Sequence, residues 1–252
     1  MKNRVLRTTS AGVRLVAAGA RTAALGVRRT FGYSGPGNHR EETSPLDRAL
    51  SVADSIWPRL MGEPDRPTRS ILFASPTRGC GTAVVATASA IALGRHLREP
   101  IGLVELDFED LQLAQLLGAV PGVGVSDILL GQAELETTVL RTKNHPDLEA
   151  VGGGRQRALQ PGDFAAPQFE RLRSEMEQRC RTTIYIAPPL ETCQDMRLVA
   201  RRVDGVVCVV RAASTTKSEI DGALGMLDDS GARLVGSVMT GYDFDLPHSS
   251  AA

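Results

Sequence analysis

The segment Ser75-Pro76-Thr77-Arg78-Gly79-Cys80-Gly81-Thr82-Ala83 carries the pattern most able to do chemistry. It lies between a short apolar run, Ser70–Ser75, and an Ala-rich helical pattern, Ala83–Leu97. A glycine turn between a strand and a helix lets backbone amides surround an anion, and the helix dipole favours negative charge there. The chemistry would be phosphate binding. A working nucleotide loop ends in G-K-S/T, where the lysine reaches the outer phosphates and the hydroxyl ligates Mg²⁺. Here the glycines remain, while Thr82 and Ala83 stand at the lysine and hydroxyl places. The candidate phosphate loop is therefore Gly79, Cys80, Gly81, Thr82 and Ala83, in degenerate form.

Other side chains nearby invite similar scrutiny. Glu105 and Asp107 close the apolar run Ile101–Leu106. Carboxylates there could ligate a cation, but without further ligands they read as caps of the next helix or as partners of an arginine. Arg78 could stand in for the lysine, yet a planar guanidinium from another position is a poor substitute, and it reads as a solvated loop residue. Cys80 at a helix start could be an activated thiol; the plainer reading is an ordinary loop thiol. The four cysteines, Cys80, Cys180, Cys193 and Cys208, have neither zinc-site nor C-x-x-C spacing. They read as reduced thiols, with Cys208 in a core strand.

The elements that must position these residues follow from periodicity. Apolar runs recur at Ser70–Ser75, Ile101–Leu106, Thr183–Ala187, Gly205–Arg211 and Leu234–Met239. Helical patterns lie at Ala83–Leu97, Pro167–Arg179, Cys193–Arg201 and Lys217–Ser230. Strands apolar on both faces, separated by helices, predict a doubly wound α/β domain over residues 69–243, with a mostly parallel sheet covered on both faces. Ligands of such folds bind at the carboxyl ends of the strands, where the glycine turn falls. Ahead of it, Leu46–Met61 reads as a helix that Pro58 ends or kinks, and Gly62–Pro67 as a breaker. Residues 44–68 thus form a helix and linker, and 244–252 a tail.

The chain has 252 residues with 29 basic and 29 acidic side chains. Its first 40 residues hold eight basic groups (Lys2, Arg4, Arg7, Arg14, Arg21, Arg28, Arg29, Arg40) and no acid, which leaves the rest at a net charge of −8. Residues 1–43 are a basic arm and linker, an asymmetry that points to an anionic partner for the arm. Arg7, Arg14, Arg21 and Arg28 recur every seven residues. That spacing fits an amphipathic helix on an anionic membrane surface. Gly12, Gly19 and Gly26 favour a disordered tail instead, and an Arg-rich, acid-free start also fits an organelle transit peptide. Neutral net charge and an aromatic content of 4% argue against nucleic-acid binding. No segment approaches the ~20 apolar residues of a membrane span.

The order of segments from about Ser44 to Asp243 resembles the cytoplasmic ATPase domain of the bacterial tyrosine autokinases of capsule and exopolysaccharide synthesis. That family belongs to the same P-loop class as the Min and Par ATPases. Ser75 to Ala83 sits where the family has S-x-x-x-G-E-G-K-S/T, and Val104-Glu105-Leu106-Asp107 where it has I-D-A-D. Gly122 to Gly131 resembles P-G-L-S-D-x-L-x-G, and Leu148 to Gly154 resembles L-x-V-L-P-A-G. Phe169 to Arg179 resembles the helix that follows. Ile184-Tyr185-Ile186-Ala187-Pro188-Pro189 is similar to I-I-D-T-P-P, the Walker B strand. Val203 to Arg211 is similar to V-D-G-V-x-x-V-V-R, and Gly231 to Val238 to G-A-x-x-x-G-x-V.

The departures fall on the chemistry. Thr82 replaces the phosphate lysine, Ala83 the magnesium hydroxyl, Ile186 the Walker B aspartate and Glu105 the first aspartate of I-D-A-D; Asp107 keeps the second. Thr240 stands where the family has an asparagine near the adenine. Arg48 to Ile56 lacks the polar landmarks of the self-association helix, and Tyr242 is the one tyrosine near the C-terminus. The resemblance implies an ATP-dependent protein tyrosine kinase; the departures imply a catalytically degenerate one. No catalytic or metal-binding residue is then assigned, Asp107 being the candidate if the chain is active. No cofactor is expected, with weak ATP or ADP and magnesium as the alternative. The expected role is that of a regulatory partner of a membrane co-polymerase or chain-length protein in polysaccharide biosynthesis or export. The chain would be cytoplasmic, with its arm at the inner membrane face. Two alternatives stand beside this: an active tyrosine kinase or ATPase with an atypical loop, and a Min/Par-like positioning ATPase.

Overall fold

The computed structural model describes residues 45–63, 66–140, 142 and 144–241. The basic arm, Tyr33, Tyr242 and the tail 244–252 lie outside the described residues.

Seven strands form the main sheet: β3 (Ser70–Ala74), β4 (Ile101–Glu105), β5 (Val139–Leu140), β6 (Leu148–Val151), β7 (Thr182–Ile186), β8 (Gly205–Arg211) and β9 (Leu234–Thr240), ordered β5-β6-β4-β7-β3-β8-β9. All neighbouring pairs are parallel except β5 with β6. The α/β architecture read from the periodicity is the one observed. Every residue of β3, β4 and β7 is buried, because helices cover both faces.

Alternation along β3 divides the core. Leu72 joins the layer of Phe164, Phe169, Met176 and Tyr185 under α6 (Pro167–Arg179), whereas Ile71 and Phe73 join the layer under α2 (Thr82–Leu97). The first layer contains an aromatic chain: Phe108 to Phe164 at 5.8 Å between ring centroids, Phe164 to Phe169 at 5.4 Å and Phe169 to Tyr185 at 6.4 Å. α2 is apolar nearly all round, and a second helix covers its outer side. That helix, α1 (Pro45–Leu60), seats Ala49 and Ala53 against Ala88 and Ala92.

Some local expectations give way to tertiary structure. Pro58 does not end α1, which runs two residues further; in a last turn proline removes little of the hydrogen-bond ladder. The breaker at 62–67 contains a two-stranded antiparallel ribbon, β1 (Gly62–Glu63) with β2 (Arg66–Pro67). The helix expected over Cys193–Arg201 contracts to α7 (Met196–Ala200).

β3 is the switch point of the sheet. The chain leaves it through α2 for β4 on one side, and β7 connects across it to β8 on the other. The glycine loop therefore emerges between the ends of β4, β7 and β8.

Candidate functional site

The loop after β3 has the backbone of a phosphate cradle. Gly79 and Gly81 both adopt φ of +81°, in the left-handed region that side chains disfavour. Gly81 is the N-cap of α2, no side chain among the described residues caps that helix, and its first turn carries no acid. The positive end of a sixteen-residue dipole therefore faces the loop.

Polar contacts hold the loop from three sides. Ser75 Oγ donates to the Thr77 carbonyl at 3.0 Å. From β9, Thr240 Oγ1 donates to the Cys80 carbonyl at 2.7 Å. From the end of β8, Arg211 Nη1 donates to the Gly79 carbonyl at 3.0 Å. Cys80 is 2% exposed, and its Sγ lies 3.7 Å from Thr77 Oγ1 and 3.5 Å from Thr215 Oγ1. It is a free, buried thiol. Cys208 is buried in β8, where burial pushes its pKa up to about 12.

Arg78 reaches the opposite wall. It forms ion pairs with Asp107 and Glu109 at 3.1 Å each and lies 3.6 Å from Asp110. Arg78 is exposed, as a solvated loop residue is, but it is also ion-paired: 29 residues of chain separate it from Asp107, so local spacing carried no sign of the pair.

The two acids at the end of β4 and just beyond it serve the backbone. Glu105 Oε1 accepts from the amides of Gln112 at 2.7 Å and Leu113 at 2.9 Å, at the start of α3 (Leu113–Leu116). Its Oε2 accepts from Gly153 at 2.9 Å. Asp107 Oδ1 accepts from the amides of Glu109 and Asp110, leaving Oδ2 to Arg78. Burial raises both pKa values. For Glu105 it outweighs the three amides; for Asp107 it outweighs the Glu109 amide and the Arg78 charge. These are the capping and arginine-pairing roles expected of them.

The structure brings all five candidate loop residues, Gly79 to Ala83, together with Asp107 around one cavity of about 50 Å³. Glu105, Ile186 and Arg78 share its lining. Ile186, at the Walker B place, is 2% exposed and offers no ligand atom. Ligand pockets typically measure roughly 300–1,000 Å³, so this cleft is narrow. Among the described residues, no group of three or more His, Cys, Asp or Glu side chains could hold a metal ion. Sequence reasoning missed Arg211, Glu109 and Asp110, and read Thr240 only through the family. Contacts from 132 and 160 residues away have no local signature.

No family model matches the chain. It is 19% identical over 177 residues, 70% of this chain and 77% of the relative, to CapB of Staphylococcus aureus, which carries the name of a tyrosine-protein kinase. The chimerical protein CapA2B2 superposes with a TM-score of 0.71 at 20% identity, covering 88% of this chain and 99% of that one. The kinase domain of Escherichia coli tyrosine kinase ETK gives 0.67 at 16% identity, over 87% of each chain. In sequence this chain is similar to a bacterial tyrosine-protein kinase, and its fold is the one those kinase domains share. The fold is P-loop NTPase-like, and the likeness reaches beyond kinase domains. The septum site-determining protein MinD of Pyrococcus horikoshii, solved with Mg-ADP, superposes with a TM-score of 0.54 at 18% identity, over 68% of this chain and 70% of that one. No helix among the described residues of this chain is long and apolar enough to cross a membrane.

Proposed function

We propose that this chain is a catalytically degenerate tyrosine-kinase-like protein that acts as a regulatory partner of a membrane co-polymerase in capsular or exopolysaccharide biosynthesis or export. One observation carries the reading. The loop keeps its left-handed glycines, while Thr82, Ala83 and Ile186 supply neither the lysine nor the metal oxygens that phosphoryl transfer uses. A charge-assisted hydrogen bond contributes about 1.5–3 kcal/mol. Loss of the lysine alone therefore weakens phosphate binding by about 10- to 150-fold. Kinase catalysis is positioning and charge neutralisation, and those are the groups removed. The polysaccharide setting and the co-polymerase partner come from the family resemblance, with the likeness to CapB and CapA2B2 in support. The basic arm serves as a contact to an anionic membrane surface, which places the chain at the cytoplasmic face of the inner membrane.

Calorimetric titration of the full chain with ATP and ADP, with and without Mg²⁺, tests the degenerate state. No binding up to millimolar nucleotide is expected, with binding restored in Thr82→Lys/Ala83→Ser. Micromolar binding by the wild type, followed by hydrolysis, would favour an active kinase with an atypical loop. Deletion in the native host tests the setting: loss of polysaccharide is expected, and unchanged polysaccharide with a defect in division or partition points to a positioning role.

A further inference from the structure

One guanidinium meets three carboxylates at the mouth of the loop cavity. Arg78 Nη1 donates to Asp107 Oδ2 at 3.1 Å and stands 3.6 Å from Asp110 Oδ2; Nη2 donates to Glu109 Oε2 at 3.1 Å. Asp107 is 7% exposed, and its Oδ1 is engaged by two backbone amides. Glu105 spends both its oxygens on the amides of Gln112, Leu113 and Gly153. Asp107 Oδ2 is thus the buried acid oxygen free of backbone amides on this wall, and Arg78 takes it. On the far side, Arg211 and Thr240 hold the carbonyls of Gly79 and Cys80.

We propose that Arg78 is a built-in cation: it takes the Asp107 oxygen that a divalent ion would need and latches the loop onto the end of β4 with nothing bound. The idea rests on the reading of a loop that works without nucleotide. A tethered charge competes at high effective concentration against a free ion. A free ion would have to displace the guanidinium from Asp107, Glu109 and Asp110 together, with no oxygen from the side chains of Ala83 or Ile186 to help, and Mg²⁺ gives up its waters reluctantly. The latch therefore keeps the surface around the loop in one state, where a nucleotide-dependent relative would alternate between two.

Cys80 reports on the latch, because its buried thiol lies inside the loop. The experiment is alkylation of the full chain by iodoacetamide, resolved by peptide mass spectrometry, in the absence of nucleotide. Wild-type Cys80 is expected to react slowly and indifferently to millimolar Mg²⁺. In Arg78→Gln, Cys80 labelling rises by about 3- to 30-fold, the range that a few partly exposed ion pairs allow, while Cys180, Cys193 and Cys208 keep their rates. An unchanged Cys80 rate overturns the proposal. So does Mg²⁺ that slows wild-type labelling, because the ion would then have found Asp107 available. Should all four thiols loosen in the variant, the wild type decides: molar NaCl screens the ion pairs and must accelerate Cys80 over Cys208, and indifference to salt overturns the latch. Nucleotide binding by the wild type would refute the degenerate reading and leave this result legible by itself.

Discussion

Thr240 Oγ1 donates to the carbonyl of Cys80 over 2.7 Å, joining the last residue of the last strand to the middle of the loop after β3. Thr240 is 9% exposed, so this bond is made away from water. Thr240→Val keeps the shape and removes the donor, leaving a carbonyl without its partner. The expected loss is about 1–2 kcal/mol in urea unfolding. Faster alkylation of Cys80 should accompany it, and a variant as stable as the wild type would remove Thr240 from the account of the loop.

Two glycines of the segment 122–131 separate close approach from mere tolerance. A Cβ on Gly124 would lie 2.1 Å from the Gly152 carbonyl oxygen and 2.5 Å from the Gly154 nitrogen, both backbone atoms. A Cβ on Gly122 would meet nothing within 4 Å. Gly124→Ala should cost more than about 3 kcal/mol or prevent folding, while Gly122→Ala stays within about 0.5 kcal/mol. Paired urea melts check this, and equal effects would mean that the Gly124–Gly152 crossing is not tight.

Burial raises the pKa of Glu105 above its ordinary 4.5. An acid with a raised folded-state pKa binds more protons folded than unfolded, so its contribution to stability is largest below 4.5 and falls as pH rises through the folded value. Glu105→Gln removes that titration and should flatten the decline of stability above pH 4.5 relative to the wild type. The amide has one acceptor oxygen for three backbone donors, so the variant also loses about 1–2 kcal/mol at the low end. Thermal melts across pH 4 to 8 measure both effects, and parallel profiles would contradict the assignment.

Tyr185 is fully buried, and its hydroxyl has no hydrogen-bond partner among the described residues. Burial drives its pKa upward. Such a side chain is out of reach of any phosphoryl donor. Tyr185→Phe should leave stability unchanged or raise it by up to about 1 kcal/mol, because it deletes an unsatisfied polar atom. A loss of more than that, or phosphate found on Tyr185 by mass spectrometry, would contradict this picture.

Which features the sequence alone determined follows from how local their causes are. A parallel strand covered on both faces must be apolar throughout, so Ser70–Ala74 and Gly205–Arg211 were legible as core strands. The glycines of the loop and the Ala-rich pattern of α2 are equally local, as is the absence of lysine at 82 and hydroxyl at 83. Short elements left no such trace. β5 has two residues, and α3, α4 (Val125–Leu129) and α5 (Leu135–Thr138) have four or five, too few for a period to show.

Tertiary structure alone decided what each polar residue of the site does. Arg78 faces Asp107, Arg211 faces Gly79 and Thr240 faces Cys80, across 29, 132 and 160 residues. Sequence states which groups are present; only the strand order β4-β7-β3-β8-β9 sets which of them meet. Hydrogen bonds and ion pairs act within a few ångströms, and crossovers through whole helices separate these partners along the chain. The loop's glycine framework was therefore written locally, and its latch was settled by the sheet.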